Sequence, residues 1–251
     1  MIIMDYTFKP ELTDEYYDKW IKLGLYATGK PYKEHVDPEK LIVETTHIGR
    51  FEGRLFKAML TWIRNYHDLI NIQKLLHYID DADLPVLGAA VEIAAQKANA
   101  LPRFKSVLKR CRPYESAQVL FKDVDDFGDF EKNQKEFGKK EYLKWGLYCT
   151  MIEFYDDAMY NRHYVLMNNP LLAIRALIGP NIRAEILFEL EQRSRLSITA
   201  LKEHVGYAYS AVYTEVMNLT RNGYLANETN GKKQMITMTK PFVKYLRSIP
   251  V

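Results

Sequence analysis

A chain of 251 residues, 47% hydrophobic and 27% charged, has globular composition and room for one large domain or two ordinary ones. No apolar run approaches the roughly 18 residues of a membrane span, and Met1-Ile2-Ile3-Met4-Asp5 lacks the basic and apolar blocks of a secretory signal. Two cysteines, Cys111 and Cys149, supply neither a disulfide framework nor a cysteine metal site, so the expectation is a cytoplasmic protein with reduced, buried thiols.

Residues 1–10 read as extended or loosely structured. Over residues 11–25, Leu12, Tyr16, Trp20 and Leu23 recur near helical spacing, and Gly24 and Gly29-Lys30-Pro31 end the pattern. Residues 31–39 read as a connector. The run 49–66 places Phe51, Leu55, Phe56, Met59, Trp62 and Ile63 on one face and predicts a strongly amphipathic helix. Asn71 is suited to cap a shorter helix over 71–79.

The acidic turn Asp80-Asp81-Ala82-Asp83 precedes an alanine-rich helix over 84–100, where acids are favoured by the helix dipole. A further short helix is predicted over 102–111. In 122–141, 12 of 20 residues are charged and two are glycine, the composition of an exposed linker. Trp145, Tyr148, Ile152 and Tyr155 predict a helix over 142–160. Residues 163–167 are β-prone and read as a strand or extended connector. Pro170 begins another helix over 170–177, capped by Asn168 or Asn169.

The last third carries the pattern most specific for function. Gly179-Pro180-Asn181 is a turn and cap, and Ile182, Ile186, Leu187 and Leu190 line one face of the helix over 182–192. Ser197 caps the helix over 198–205, with Ile198, Leu201 and Val205 inward. Gly206 supplies the conformational freedom for a sharp turn. Ser210 is expected to cap the next helix, which buries Val212, Val216 and Leu219. Its opposite face carries Tyr209, Ser210, Tyr213, Thr214 and Met217. Gly223 closes it. Two β-prone runs, 224–227 and 234–238, flank Asn230-Gly231, a strong hairpin signal. Lys232 and Lys233 stand at the hairpin tip, and Thr239 caps a terminal helix over 240–248.

Charge follows the same division. From Asn168 onward, 11 Lys and Arg face 6 Asp and Glu, which leaves 24 against 26 for the residues before it. The basic surplus sits where phosphate binding would use it.

The run NIRAEILFELEQRSRLSITALKEHVGYAYSAVYTEVMNLTRNGYL, with NGKKQMITMT, resembles the winged helix-turn-helix transcriptional regulators of bacteria and archaea, broadly the ArsR- and MarR-like groups. Ala208 and Ser210 before the second helix, the Ala211-Val212 pair and Asn222-Gly223-Tyr224-Leu225 carry the likeness. The resemblance implies a DNA-reading helix over 210–222 and a wing over 227–234.

The expected fold is therefore mainly α: an N-terminal helical domain over 1–121, a charged linker and connecting helix over 122–167, and a C-terminal winged helix-turn-helix over 168–251 with a small β-hairpin wing. The expected activity is regulation of transcription through double-stranded DNA by a homodimer. Arg183, Tyr209, Ser210, Tyr213, Thr214, Met217, Lys232 and Lys233 are the candidate DNA contacts. The alternative is an antitoxin-like or adaptor protein whose helical domain binds a protein partner. The six histidines show no paired zinc spacing, no phosphate loop follows a strand, and no catalytic constellation stands out, so neither cofactor, metal nor enzymatic activity is expected.

Overall fold

The computed structural model describes residues 10–122, 130–150, 153–230 and 233–248. The chain divides into two units, Met1–Asn161 and Arg162–Val251. It is mainly helical, with a small three-stranded antiparallel sheet in the second unit. Among the described residues, no helix is long and apolar enough to cross a membrane.

The first unit opens with α1 (Pro10–Lys22), α2 (Pro38–Ile48) and α3 (Gly53–Tyr66). The second of these begins inside the connector expected over 31–39. Its start is encoded locally: Asp37 accepts from the backbone N–H of Glu39 and Lys40 at 3.1 and 3.2 Å, and Pro38 occupies the first turn. The helix buries Leu41, Ile42, Val43 and Ile48. Trp20 of α1 and Trp62 of α3 meet edge to face at 6.2 Å, both fully buried. Each indole N–H is satisfied, Trp20 by Thr45 Oγ1 at 3.1 Å and Trp62 by the Leu23 carbonyl at 3.0 Å.

Next come α4 (Ile72–His77), α5 (Leu84–Lys97) and α6 (Leu101–Arg110). Asn71 caps α4 by accepting from Lys74 N. The small residues of α5 allow close approach, as expected. At Gly88 an added Cβ would lie 2.4 Å from the Trp145 ring, so only glycine seats this indole. Trp145 Nε1 also donates to Glu92 at 2.8 Å.

Among the described residues, the helix expected over 142–160 is absent. After α7 (Phe130–Glu136) and α8 (Lys140–Leu143), the chain turns at Gly146, whose φ of +67° carries it past the Tyr114 backbone. It then forms β2 (Leu147–Tyr148), parallel to β1 (Gln118–Val119). Continuing a helix would demand a negative φ at Gly146 and withdraw Trp145 from its seat. The ends of β1 and α5 are joined by Arg50, which is 3% exposed. Its guanidinium donates to Leu120 and Val119 carbonyls, Asp83, the Tyr114 hydroxyl and Gln118. All five N–H groups are thus used inside the unit.

The second unit begins with α9 (Arg162–Asn168), where a strand or extended connector was expected. Val165 is buried on its inner side, and Asn168 and Asn169 donate side-chain N–H bonds to the Tyr164 and Val165 carbonyls at 2.8 Å. These bonds close the final turn and outweigh the β preference of the short run. Then follow α10 (Pro170–Ile178), α11 (Ile182–Arg193), β3 (Arg195–Leu196), α12 (Ile198–Val205), α13 (Tyr209–Arg221), β4 (Leu225–Asn230), β5 (Lys233–Met238) and α14 (Lys240–Ser248). The sheet order is β3-β5-β4, antiparallel throughout. Ile186, Leu187 and Leu190 of α11, Leu201 and Val205 of α12, Val212, Val216 and Leu219 of α13, Leu225 and Ile236 form one core. Arg175 of α10 and Glu185 of α11 are paired beneath the surface.

Candidate nucleic-acid interface

Three local devices position α13. Ser197 Oγ accepts from Ala200 N at 3.2 Å and starts α12. Gly206 ends α12 at φ +70°, ψ +26°, a left-handed conformation that redirects the chain. Tyr207 then packs against the core, and α13 begins at Tyr209. The cap position is consequently Ala208, which offers no side-chain bond. Ser210 is the second helical residue and is exposed, so it does not cap the helix as expected.

Val212, Val216 and Leu219 turn inward at 0–3% exposure. Tyr209 and Tyr213 stand outward at 49% and 47%, and Ser210 and Thr214 are exposed beside them. The two tyrosine rings are stacked, with centroids 6.3 Å apart and planes 22° apart. Met217 departs from the expected outer face. It is half-buried and packs on the core, because its position next to Val216 and its flexible thioether let it fold over the core edge.

Arg183 projects from the first turn of α11, whose start Asn181 caps by accepting from Arg183 N and Ala184 N. Its Nε donates to Glu215 of α13 at 2.7 Å. The Arg183 side chain is 51% exposed and that of Glu215 only 14%. The pair therefore fixes the direction of a half-solvated guanidinium, while an exposed pair of this kind adds no more than about 1 kcal/mol to stability. Arg183 is legible in the sequence as a candidate contact, and its partner Glu215 is not. The two are 32 positions apart, and no local spacing announces their meeting.

The hairpin pairs Leu225 with Met238 at its base and Asn230 with Lys233 at its outer end. Lys233 thus opens β5 at the outermost paired position. Lys232, with Gly231, lies outside the described residues. The two-residue strand β3 pairs with β5 through Arg195↔Thr237 and Leu196↔Ile236. At the base, Tyr224 packs on Phe242 of α14 with ring centroids 4.8 Å apart. Thr239 donates its hydroxyl to the Gly223 carbonyl at 2.9 Å. On α12, Lys202 bonds Glu203 at 2.9 Å and holds the Glu203 carboxyl below the usual range.

The face so built offers hydroxyl groups, two aromatic rings and a methyl, with one oriented guanidinium. It can donate and accept hydrogen bonds and cover apolar surface. Among the described residues, no group of three or more His, Cys, Asp or Glu is placed to hold a metal ion. Comparison of the chain with protein-family models, with curated proteins and with solved structures gave no match.

Proposed function

We propose that the second unit is a winged helix-turn-helix that binds duplex DNA, and that the protein is a homodimeric regulator of transcription working in the cytoplasm. The observation that carries this reading is the division of α13. One side is locked into the core by Val212, Val216 and Leu219, and the N-terminal half of the other presents Tyr209, Ser210, Tyr213 and Thr214 to solvent. A helix that enters the major groove needs such a rigid inner side and a polar outer side of short reach. The element order from α11 to β5, with β3 completing the sheet, agrees with the same module. Lys233, at the outer end of the hairpin ladder, and its neighbour Lys232 would meet phosphate or the minor groove, and Arg183 a backbone phosphate.

Gel-shift assays of the full chain with genomic fragments test the reading. Salt-sensitive retention of a subset of fragments, lost on combining Tyr213→Ala with Lys232→Ala and Lys233→Ala, is the expected result. Retention indifferent to those changes, or no retention, refutes it.

A second reading has one observation in its favour. The exposed half of α13 holds two large tyrosine rings and no Lys or Arg before Arg221, a composition also suited to a protein partner. Tyrosine-dependent capture of a protein product of a neighbouring gene, without DNA retention, would select it.

A further inference from the structure

The exposed chemistry of α13 restricts what it can read. Between Tyr209 and Asn218 the helix has no Arg, Lys, Asn or Gln. The bidentate partners of guanine and adenine are therefore missing from the half that would face the bases. Glu215, the one carboxylate there, is 14% exposed and engaged by Arg183 at 2.7 Å, which removes it as an acceptor for cytosine N4. What remains is the hydroxyls of Tyr209, Ser210, Tyr213 and Thr214, the two tyrosyl rings and the Thr214 methyl. A hydroxyl donates or accepts equally well and so discriminates poorly between base pairs. The carbon surface does discriminate, because the major groove of unmodified DNA displays a single apolar group, the C5-methyl of thymine.

We infer that α13 reads thymine methyl groups, with Tyr209 and Tyr213 as the specificity-determining residues, so that the target is duplex DNA with closely spaced thymines in the major groove. The inference rests on the duplex-DNA reading above. The tyrosine geometry suits it. The rings are nearly parallel, 22° apart, and their centroids are separated by 6.3 Å. Two base steps rise about 6.8 Å, at roughly 3.4 Å per step along a strand. Each ring can thus cover a methyl two steps from the other. Their roots are fixed by the fully buried Val212 and Val216, each three residues after one of the tyrosines.

The test uses the full chain and fragments amplified in vitro, in which thymine is the only 5-methylpyrimidine. In the best-retained duplex, thymines of the protected segment are replaced by deoxyuridine, which removes the methyl and keeps the pairing edge. The expected loss of affinity is about four-fold per contacted methyl, the ratio for burying one methyl-sized group. Tyr209→Ala with Tyr213→Ala should bind the two duplexes alike, whereas Tyr209→Phe with Tyr213→Phe should keep the methyl dependence. Equal binding of both duplexes by the unaltered protein overturns this inference and leaves the DNA reading standing. An unchanged ratio in the double-alanine variant, folded by circular dichroism, overturns the assignment to the tyrosines. Retention of genomic but not amplified DNA overturns thymine as the source in favour of methylated cytosine. Failure to retain any duplex overturns the DNA reading and this inference with it.

Discussion

Arg175 engages Glu185 through two guanidinium nitrogens, Nε at 2.9 Å and Nη2 at 2.6 Å, with the side chains 0% and 2% exposed. The bond joins α10 to the helix that carries Arg183. Removing one partner deprives a buried charge of this bond, which costs about 3–5 kcal/mol, whereas replacing both by apolar residues of similar volume is close to neutral. Arg175→Met and Glu185→Leu should each lower stability by that amount, and the double variant should recover most of it. Far-UV circular dichroism during denaturation follows this unit. Tryptophan emission does not, since Trp20, Trp62 and Trp145 all belong to the first. Losses under 1 kcal/mol in the single variants would contradict the account.

Gly88→Ala tests the seat of Trp145. A methyl there would sit 2.4 Å from the ring, so the indole or the helix must shift. Overpacking of this kind costs about 1–3 kcal/mol, more than the helix-propensity gain of about 1 kcal/mol from replacing glycine. Net destabilisation with altered tryptophan emission is expected. A more stable protein with unchanged emission would show that the contact is loose.

Much of this architecture is legible in the chain, and its exceptions have physical causes. The helices around Trp20, Trp62 and Val212 announce themselves by 3.6-residue periodicity, and Asn71, Ser197 and Gly206 act where their chemistry places them. Helix α2 also carries its signal, since Asp37-Pro38 is a cap followed by a first-turn proline. The segment after Tyr142 has helical periodicity but is overridden by tertiary structure, because Gly146 must turn and Trp145 must reach Gly88. Two-residue strands such as β3 are too short to show a period. At the candidate interface, the outward tyrosines are legible from the stripe opposite them. The inward lean of Met217 and the Glu215 partner of Arg183 arise only once helices pack.

The turn between α12 and α13 depends on Gly206, at φ +70°. An L side chain in this left-handed region costs about 1–2 kcal/mol. Gly206→Ala should destabilise the second unit by that amount, and Gly206→Asn by less, because asparagine tolerates the conformation. Equal stability of glycine and alanine at this position, by circular dichroism, would contradict the turn.

Cys111 gives a pH dependence. Burial pushes its thiol up to about 12. An unfolded thiol ionises near pH 8.5, so the folded chain binds the extra proton above that value. Below about pH 8 the group leaves stability unchanged, and as pH rises past it stability falls by up to about 1.4 kcal/mol per unit. Between pH 8.5 and 10, Cys111→Ala should show a shallower decline in denaturation midpoint than the unaltered protein. Parallel declines would place the sensitivity elsewhere.

The proposed contact of the second unit with DNA phosphates is tested most directly by a salt titration. Binding of the full chain to a retained duplex, followed by fluorescence anisotropy, should weaken linearly in log–log form as salt rises. Lys232→Ala with Lys233→Ala should reduce the magnitude of that slope by about 1.8, the share of two phosphate contacts. A slope that the two substitutions leave unchanged, or affinity independent of salt, would contradict the account.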